Sequence, residues 1–437
     1  RKLNDSAAAR WTALVLIALA MFFAYMFVDV MSPLQSLIES ERGWDSGVFG
    51  TYAASEYILN VCGFLILAGI ILDKCGIRFT GILSTSLMVI GASIKYIGVS
   101  DWFQATAMCS WLDSWWTTLP GSAKMASFGF MVFGCGCEMA GITVSKAIAK
   151  WFKGLEMAIA RLGVFAVFSV SPKIATQFDN SVVAPIAFCT VLLIIGLINF
   201  IVFSVMDAKL DKQLGEANSD EPTEEFKVSD LGRIFSSKMF WIVALLCVLY
   251  YSAIFPFQRY ATNYLEVTLH IEKEAAADLF RWFPILAMIL TPVLGSFLDH
   301  KGKGATMLML GSLIMIACHL SFAFLLPIYP NEWFALLIIV ILGVSFSLVP
   351  AALWPSVPKI IDPVILGSAY SLIFWIQNIG LCFVPLIIGM TLKATGGYLV
   401  PMLIFASLGV LALILSFALK AFDKKKGFGL EEPNIKE

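Results

Sequence analysis

Long apolar runs follow one another along almost the whole chain, and they constrain its fold more than any other feature. The hydrocarbon core of a membrane is ~30 Å thick, so about 20 apolar residues cross it as one helix. Backbone polar groups find no water there, which leaves helices and closed barrels as the spanning structures. The chain is 59% hydrophobic and only 14% charged, whereas about a quarter of a soluble domain is charged. We therefore predict an all-α membrane protein.

Twelve such runs can be counted, and each predicts one transmembrane helix. They lie at 11–36, 47–72, 78–98, 125–149, 155–178, 182–206, 239–266, 275–298, 304–326, 332–358, 365–393 and 398–420. A charge-rich segment between the sixth and seventh runs is typical of a solvated linker. The predicted organisation is an N-terminal six-helix half at 1–206, a cytoplasmic linker at 207–238, a C-terminal six-helix half at 239–420 and a cytoplasmic tail at 421–437.

The distribution of basic residues predicts the orientation of the chain. Most of its 30 Lys and Arg residues fall in the termini and in the loops after even-numbered spans. The opposite loops hold few, namely Arg42, Lys124, Lys173, Lys273 and Lys393. Because cytoplasmic loops carry the excess of Lys and Arg, both termini are predicted to be cytoplasmic. No glycosylation triplet falls on the outer side, which favours a bacterial inner membrane.

Two short loops, one in each half, share a pattern. Gly69 to Arg78 reads GIILDKCGIR, and Gly295 to Lys303 reads GSFLDHKGK. Two copies in equivalent places predict a parallel repeat of the two halves. The pattern resembles the loop signature of the major facilitator superfamily, which implies two pseudo-symmetric halves of six helices. By this resemblance Asp73, Arg78 and Asp299 are gating residues, and Trp354 lies at a Pro-rich kink beside the same gate.

Several longer stretches are similar to one branch of that superfamily, which includes a lysosomal dipeptide uniporter and bacterial relatives. They are KWFKG at 150–154, MAIARLG at 157–163, YYSAIFPF at 250–257, LWP at 353–355, LGSAY at 366–370 and IQNIGL at 376–381. The resemblance implies that Glu138 and Arg161 contact the two ends of a peptide. It also makes a lysosomal membrane the alternative location. The chain departs from the branch at Glu56 and Arg259, which match no charged residue there, and at Thr262, which replaces a Lys.

Charged side chains inside the spans are the first candidates for function. A charge at bilayer depth costs at least ~2.5 kcal/mol, so such residues face the interior of a bundle and serve function. They are Asp29, Glu56, Glu138, Lys146, Arg161, Arg259 and Arg281. Spans 6 and 12 carry none, and span 3 carries Lys95 only near its end. For Arg259 and Arg281 a salt bridge near the outer surface is the alternative, and for Asp29 a structural cap.

Polar residues at mid-span form a second group of candidates. Tyr250 and Tyr251 fall in the middle of span 7, and Gln377 and Asn378 in the middle of span 11. At that depth such groups either lock helices together or form hydrogen bonds with a ligand, and the sequence leaves both readings open.

Glu138 and Arg161 together suggest a chemistry. A Glu and an Arg that face one cavity could hold the amine and the carboxylate of a zwitterion. A dipeptide spans ~7 Å, which suits such a cavity. The alternative is a structural salt bridge between spans 4 and 5. As written, Arg161 falls barely two turns from the surface, so we suspect that about two helical turns are missing between Gly154 and Leu155.

We therefore expect a transporter of dipeptides or similar small zwitterions that works by alternating access. A proton-coupled transporter of organic anions is the first alternative, and a non-transporting receptor on a transporter fold is the second. No nucleophile–base set or metal-ligand spacing is found, so we expect no enzyme, no metal and no cofactor. The expected partners are a small-molecule substrate and the lipid bilayer, with proton coupling and an accessory subunit left open. We expect a monomer that binds no nucleic acid.

Overall fold

A computed structural model describes residues 2–151, 160–215, 228–362 and 366–433, and every regular element in these ranges is helical. The long helices are α1 (Ala7–Val28), α2 (Ser46–Leu59), α3 (Leu65–Val99), α4 (Gly121–Trp151), α5 (Ala160–Gln177), α6 (Val183–Leu214), α7 (Lys238–Leu269), α8 (Trp282–Lys301), α9 (Gly304–Leu320), α10 (Glu332–Ile360), α11 (Leu366–Thr395) and α12 (Leu399–Lys426).

The lengths of these helices match the predicted spans. Ten helical runs in the described residues are long and apolar enough to cross a membrane. One of them, Ser46–Val99, has 54 residues, enough for two crossings at about 20 residues each. It comprises α2, a π-helical turn at Asn60–Phe64 and α3. With α5 added, every predicted span overlaps a described helix, and the all-α membrane fold is confirmed. Span 2 differs from its prediction: α2 ends at Leu59 inside it, and α3 runs from Leu65 through the loop at 73–77, with a kink at Gly76, into span 3.

Some helix ends differ from the prediction. The first span was predicted to reach residue 36, but α1 ends at Val28, before a turn that contains Pro33. Proline lacks the N–H that a continuing helix would need. In contrast, α6 runs on to Leu214 and α12 to Lys426, past their apolar stretches. Their polar ends hold good helix formers, so the backbone hydrogen bonds continue after the need for apolar residues has ended.

The two signature loops turn at equivalent glycines. Gly76 interrupts α3 with φ +82°, and Gly302 ends α8 with φ +77°. Each lies seven residues after the first Gly of its loop, since 76 − 69 and 302 − 295 are equal. A positive φ is adopted readily by Gly and poorly by other residues. The predicted sequence repeat is therefore also a repeat of backbone geometry.

The chain divides into two compact units. The first comprises Arg1–Trp44 and Ser55–Thr223. Within it α3 packs along α4 at a glycine crossing, where a Cβ on Gly91 would lie 2.5 Å from the Gly129 carbonyl oxygen. Lys95 is fully buried beside this crossing, with its Nζ 4.3 Å from the centroid of Phe27. Lys95 lies four residues before the end of α3, in agreement with its predicted place near the end of span 3, and its side chain is buried.

The second unit comprises Asp45–Ala54 and Glu224–Glu437. The beginning of α2 therefore packs with helices of the C-terminal part of the chain. A Cβ on Gly50 would lie 2.6 Å from the Pro385 carbonyl oxygen, so α2 and α11 are in backbone contact. Asp45 and Lys393 form an ion pair of 3.0 Å beside this contact.

The outer face of α6 is apolar and exposed. Val191, Ile198 and Val205 are each more than half exposed. Exposed apolar surface of this extent marks an interaction site, and on a helix of this length and hydropathy the partner is lipid. This agrees with the absence of charged residues from span 6.

The C-terminal tail folds back onto the second signature loop. The backbone N–H groups of Lys303 and Gly304 donate to the carbonyl oxygens of Glu431 and Leu430, at 2.9 and 3.0 Å. The Glu431 carboxylate accepts from the N–H and the hydroxyl of Thr306, at 2.8 and 2.9 Å. The tail thereby covers the loop between α8 and α9.

Candidate functional site

Glu138 lies just past the middle of α4, on the face that meets the end of α2. Gly134, one turn earlier on that face, packs directly on Glu56: a Cβ there would lie 2.0 Å from the Glu56 carbonyl oxygen and 3.0 Å from its Cγ. Glu56 is 3% exposed, and Glu138 is partly exposed. The structure therefore brings together two of the predicted site residues.

Asn60 joins this pair and was absent from the predicted site residues. It is fully buried, one turn after Glu56, and its Nδ2 donates to the Gly134 carbonyl oxygen at 3.5 Å. It begins the π-helical turn that separates α2 from α3, and such turns recur at functional sites. The available signal was an amide side chain inside an apolar run, four residues after a charged one.

The backbone of Arg161 lies in the first turn of α5, while its side chain lies outside the described residues. A contact with the end of α1 gives the depth of the Arg161 backbone within the helical bundle. Ser171 donates its hydroxyl to the Val30 carbonyl oxygen at 2.7 Å. Arg161 precedes Ser171 by ten residues, or ~15 Å along the axis.

Glu138 lies at nearly the same depth. The ring of Phe133 is 4.6 Å from that of Phe27, which places this part of α4 about 4.5 Å from the level of Val30. Helix α4 runs opposite to α1. Lys95, near the end of α3, has its Nζ 4.3 Å from the ring of Phe27, near the end of α1, and α4 is antiparallel to α3, since Gly98 meets Ala126 and Gly136 meets Ser84. Five more residues bring Glu138 to ~12 Å from Val30, within one helical turn of Arg161.

This depth changes one expectation from the sequence. Arg161 was expected to lie barely two turns from the membrane surface, with about two turns missing between Gly154 and Leu155. The contact of Ser171 with Val30 puts the Arg161 backbone within one helical turn of the level of Glu138. Gly154 and Leu155 themselves lie outside the described residues.

The remaining predicted charges lie on or next to α1, α7 and α8. Asp29 ends α1, is buried and accepts a hydrogen bond from Ser32 at 3.0 Å. Arg259 is buried in α7. Arg281, just before α8, forms an ion pair of 3.2 Å with Asp278 and lies over the ring of Trp282.

The gating candidates of the first half form ion pairs within their own unit. Arg78 contacts Asp207 at 3.0 Å and also Asp211, both at the end of α6. Asp73 lies 3.9 Å from Lys146 of α4, so this Lys is engaged by the signature loop. In the second half Asp299 lies three residues before Gly302 and is partly exposed.

The two tyrosines of α7 form different contacts. Tyr250 is fully buried and donates to the Ser345 carbonyl oxygen, and the Ser345 hydroxyl in turn donates to Gly311. This chain of bonds joins α7, α10 and α9. Tyr251 instead accepts a hydrogen bond of 3.0 Å from the indole of Trp354 and stacks on Phe255.

The amides of α11 lie one turn beyond an exposed aromatic ring. Asn378 is buried and donates to the Phe374 carbonyl oxygen at 2.8 Å, while its Oδ1 has no hydrogen-bond donor among the described residues. Gln377 is 9% exposed beside it. Phe374 is 40% exposed and stacks on Trp354. Trp354, predicted as a gating residue, therefore connects Tyr251 of α7 with α11.

Comparison with known proteins identifies the family. Residues 17–385 match the Major Facilitator Superfamily. The chain belongs to this superfamily. Curated relatives include the lysosomal dipeptide transporter MFSD1 of Danio rerio, which is 27% identical over 428 residues, covering 94% of this chain and 86% of the relative. The Homo sapiens protein of the same name is 23% identical, with the same coverage.

Solved structures of the superfamily share the fold. A D-xylose-proton symporter aligns with a TM-score of 0.70 and 15% identity over 94% of this chain and 97% of that one. The nucleoside transporter NupG aligns with a TM-score of 0.64 and 15% identity over 94% and 99%. These relatives and structural neighbours are transporters rather than enzymes. The chain is a multi-pass membrane transporter of the superfamily, and the predicted family and fold are confirmed.

Proposed function

We propose that this transporter carries dipeptides or similar small zwitterions by alternating access. The observation that carries the proposal is Glu138 on α4, a partly exposed residue within one helical turn of the level of the Arg161 backbone on α5. Helix α1 packs against both α4 and α5, so the two residues lie on helices that flank a common neighbour. The names of the curated relatives support a dipeptide as the substrate.

In this proposal each end of the substrate has its own partner. The ammonium group binds the Glu138 carboxylate, and the carboxylate binds the Arg161 guanidinium. Charge-assisted hydrogen bonds of this kind are about twice as strong as neutral ones. A dipeptide extends ~7 Å between its ends, and a longer peptide adds ~3.5 Å for each residue. Selectivity for short zwitterions follows from the fixed separation of the two charges.

End-blocked peptides test which residue binds which end. Purified protein is titrated with alanyl-alanine, its N-acetyl derivative and its C-terminal amide, and binding is followed by calorimetry. We expect each block to weaken binding at least tenfold. The Glu138→Gln variant should be insensitive to acetylation, and the Arg161→Gln variant to amidation. The exposed Glu39→Gln serves as the matched control.

Other results would favour the alternatives. If organic anions bind while every dipeptide fails, the proposal is wrong and an anion transporter is favoured. Binding of dipeptides without flux across liposomes favours a receptor. If acetylation and amidation weaken binding equally in every variant, Glu138 and Arg161 do not each bind one end of the peptide.

The orientation and the compartment remain part of the proposal. We propose that both termini face the cytoplasm, because α12 ends in three consecutive lysines, Lys424 to Lys426, and cytoplasmic segments carry the excess of Lys and Arg. A single Cys introduced at Lys426 should react with an impermeant maleimide only after cells are opened. Cell fractionation distinguishes a bacterial inner membrane from the lysosomal location in the relatives' names.

A further inference from the structure

The chain turns back after α12 and lies across three helices of the second unit. We call residues 429–433 the C-terminal strap. Leu430 is buried, with 1% of its surface exposed, and its N–H donates to the Asp423 carboxylate of α12 at 3.1 Å. The carbonyl oxygens of Leu430 and Glu431 accept hydrogen bonds from N–H groups at the start of α9. Such contacts hold in place a terminal segment that would otherwise be poorly ordered.

The second signature loop is packed tightly against the strap. A Cβ on Gly302 would lie 2.5 Å from the Glu431 carbonyl oxygen, and a Cβ on Gly304 would lie 2.8 Å from that of Leu430. A Cβ on Gly76, the equivalent of Gly302 in the first loop, would meet nothing within 4 Å. The two loops share their turn geometry, but the second glycine is also required by the close approach of the strap.

The fourth helix of each half is linked to its signature loop in a different way. In the first half, Lys146 of α4 lies 3.9 Å from Asp73 of the loop itself. In the second half, Lys359 of α10 donates to the carbonyl oxygens of Gly429 and Glu432, at 3.2 and 3.1 Å. Because the strap is also bonded to the second loop, it connects that loop with the end of α10.

The end of α10 is the part of that helix with the fewest internal hydrogen bonds. Two prolines, Pro355 and Pro358, each remove one helical N–H near this end. The Trp354 carbonyl oxygen, four residues before Pro358, accepts instead from the Tyr370 hydroxyl of α11 at 3.2 Å. A segment with few internal bonds opens at a low cost in free energy. The position of this helix end therefore depends on the groups that bind it, and the strap is one of them.

The Glu431 carboxylate is the charged anchor of the strap. It accepts from the N–H and the hydroxyl of Thr306, at 2.8 and 2.9 Å, in the first turn of α9. Negative charge is favoured there by the helix dipole, and Lys420 of α12 donates to the same hydroxyl at 3.1 Å. The side chain of Glu432 is exposed, and its carbonyl oxygen contacts Lys359. The two adjacent glutamates therefore form a matched pair for substitution.

We propose that the C-terminal strap is an autoinhibitory contact. When it is docked, it holds the end of α10 to α9 and α12, and when it is released, that helix end is free and transport is faster. Alternating access moves one half of a transporter against the other, so a strap that fixes helix ends within one half opposes the change. The inference rests on the proposed function only for the solute used in the flux measurement.

Hydrogen exchange of the substrate-free protein tests whether the strap holds α10. Loss of the Glu431 hydrogen bonds should shift the docking equilibrium by about fivefold. In Glu431→Ala, exchange should therefore be about fivefold faster at the start of α9 and also at residues 354–361. The control Glu432→Ala should match the wild type, and residues 333–345, at the start of α10, should be unchanged in both variants.

A second variant reaches the same contact without a change of charge. Leu430→Ala removes the buried side chain of the strap, and the loss of a buried Leu should release the strap at least as far as Glu431→Ala does. Faster exchange at α9 with unchanged exchange at 354–361 in both variants would overturn the proposal, because the strap would then not hold α10. Exchange at the wild-type rate in both places would overturn it as well.

Counterflow of alanyl-alanine in proteoliposomes measures the effect on transport. We expect initial rates up to about fivefold above the wild type in Glu431→Ala and Leu430→Ala, and the wild-type rate in Glu432→Ala. Rates equal to or below the wild type in both strap variants would overturn autoinhibition, since damage to a merely structural tail does not speed transport. If the wild type carries no alanyl-alanine, the proposed function is refuted, and hydrogen exchange still decides whether the strap holds α10.

Discussion

The contact at Gly134 allows a matched pair of substitutions on one helix. Gly134 and Gly141 are seven residues apart on α4 and therefore lie on nearly the same face. A Cβ on Gly134 would lie 2.0 Å from the Glu56 carbonyl oxygen, whereas a Cβ on Gly141 meets nothing within 4 Å. Ordinary contact begins at 3.4 Å, so in Gly134→Ala the two helices must separate by 3.4 − 2.0 = 1.4 Å.

The energies follow from this geometry. Replacing a helical Gly by Ala stabilises the helix by about 1 kcal/mol in either variant. Overpacking costs ~1–3 kcal/mol, and a clash with backbone, which cannot rotate away, belongs at the upper end. We expect Gly141→Ala to stabilise the protein by up to ~1 kcal/mol and Gly134→Ala to destabilise it by ~2 kcal/mol. The difference of ~3 kcal/mol is roughly a hundredfold in the folded-to-unfolded ratio.

Thermal unfolding of the two variants and the wild type in one detergent measures the difference. Gly134→Ala should also weaken dipeptide binding, because the displacement moves Glu56 away from Glu138, and Gly141→Ala should not. If the two variants unfold together, α2 and α4 do not meet at Gly134, and the proximity of Glu56 to Glu138 inferred from that contact is wrong.

Three further predictions concern stability. Asp207 is buried and accepts hydrogen bonds from both Arg78 and Trp151 Nε1, whereas Asp211 is 43% exposed. In denaturant unfolding, Asp207→Ala should lower the free energy of unfolding by ~3 kcal/mol and Asp211→Ala by less than ~1 kcal/mol. Equal losses in the two variants would contradict this. Glu431→Ala should cost ~1 kcal/mol by releasing Thr306, whereas the exposed Glu432→Ala should be neutral; equal melting temperatures would show that the tail is not docked. Burial by itself would raise the pKa of the Asp45 carboxyl, but the hydrogen bond from the Val48 N–H and the charge of Lys393 together lower it by more, so the pKa lies below its usual 3.8. The ion pair should therefore stabilise the protein down to about pH 5 and lose its effect only as the pH falls below 3.8, seen as a vanishing difference in melting temperature from Asp45→Asn. A difference that is already lost near pH 5 would refute the lowered pKa.

The helices could be predicted because each must satisfy its own backbone in lipid, which requires a long apolar run that is visible in the sequence. Their ends were less predictable, since the polar residues beyond Met206 continue α6 as well as apolar ones would. The turn glycines Gly76 and Gly302 were identifiable because the same spacing occurs twice.

The site was predictable in residue type but not in pairing. Glu56 and Glu138 were candidates because charge at bilayer depth is costly, yet nothing in one sequence shows that they share a helix contact. That contact depends on the missing side chain of Gly134, which looks like any other small residue in span 4. Tyr250 illustrates the converse: a polar group at mid-span that resembled a ligand contact is bonded to Ser345.

The buried cation Lys95 was underestimated for a related reason. Its position near the end of an apolar run gave no sign that the side chain is buried. The rings of Phe27 and Phe130 lie 4.3 and 4.6 Å from its Nζ and come from helices distant in sequence. Such an aromatic environment, which stabilises a cation through the ring quadrupoles, becomes visible only once α1, α3 and α4 are packed.

Counterflow tests the central claim most directly. Proteoliposomes loaded with unlabelled alanyl-alanine are diluted into a trace of labelled alanyl-alanine, and transient accumulation of label reports carrier-mediated exchange. We predict saturable accumulation by the wild type and by Glu39→Gln, and its loss in Glu138→Gln protein that still unfolds at the wild-type temperature. Wild-type exchange that survives unchanged in Glu138→Gln would show that the substrate's ammonium group binds elsewhere and would contradict the proposed site.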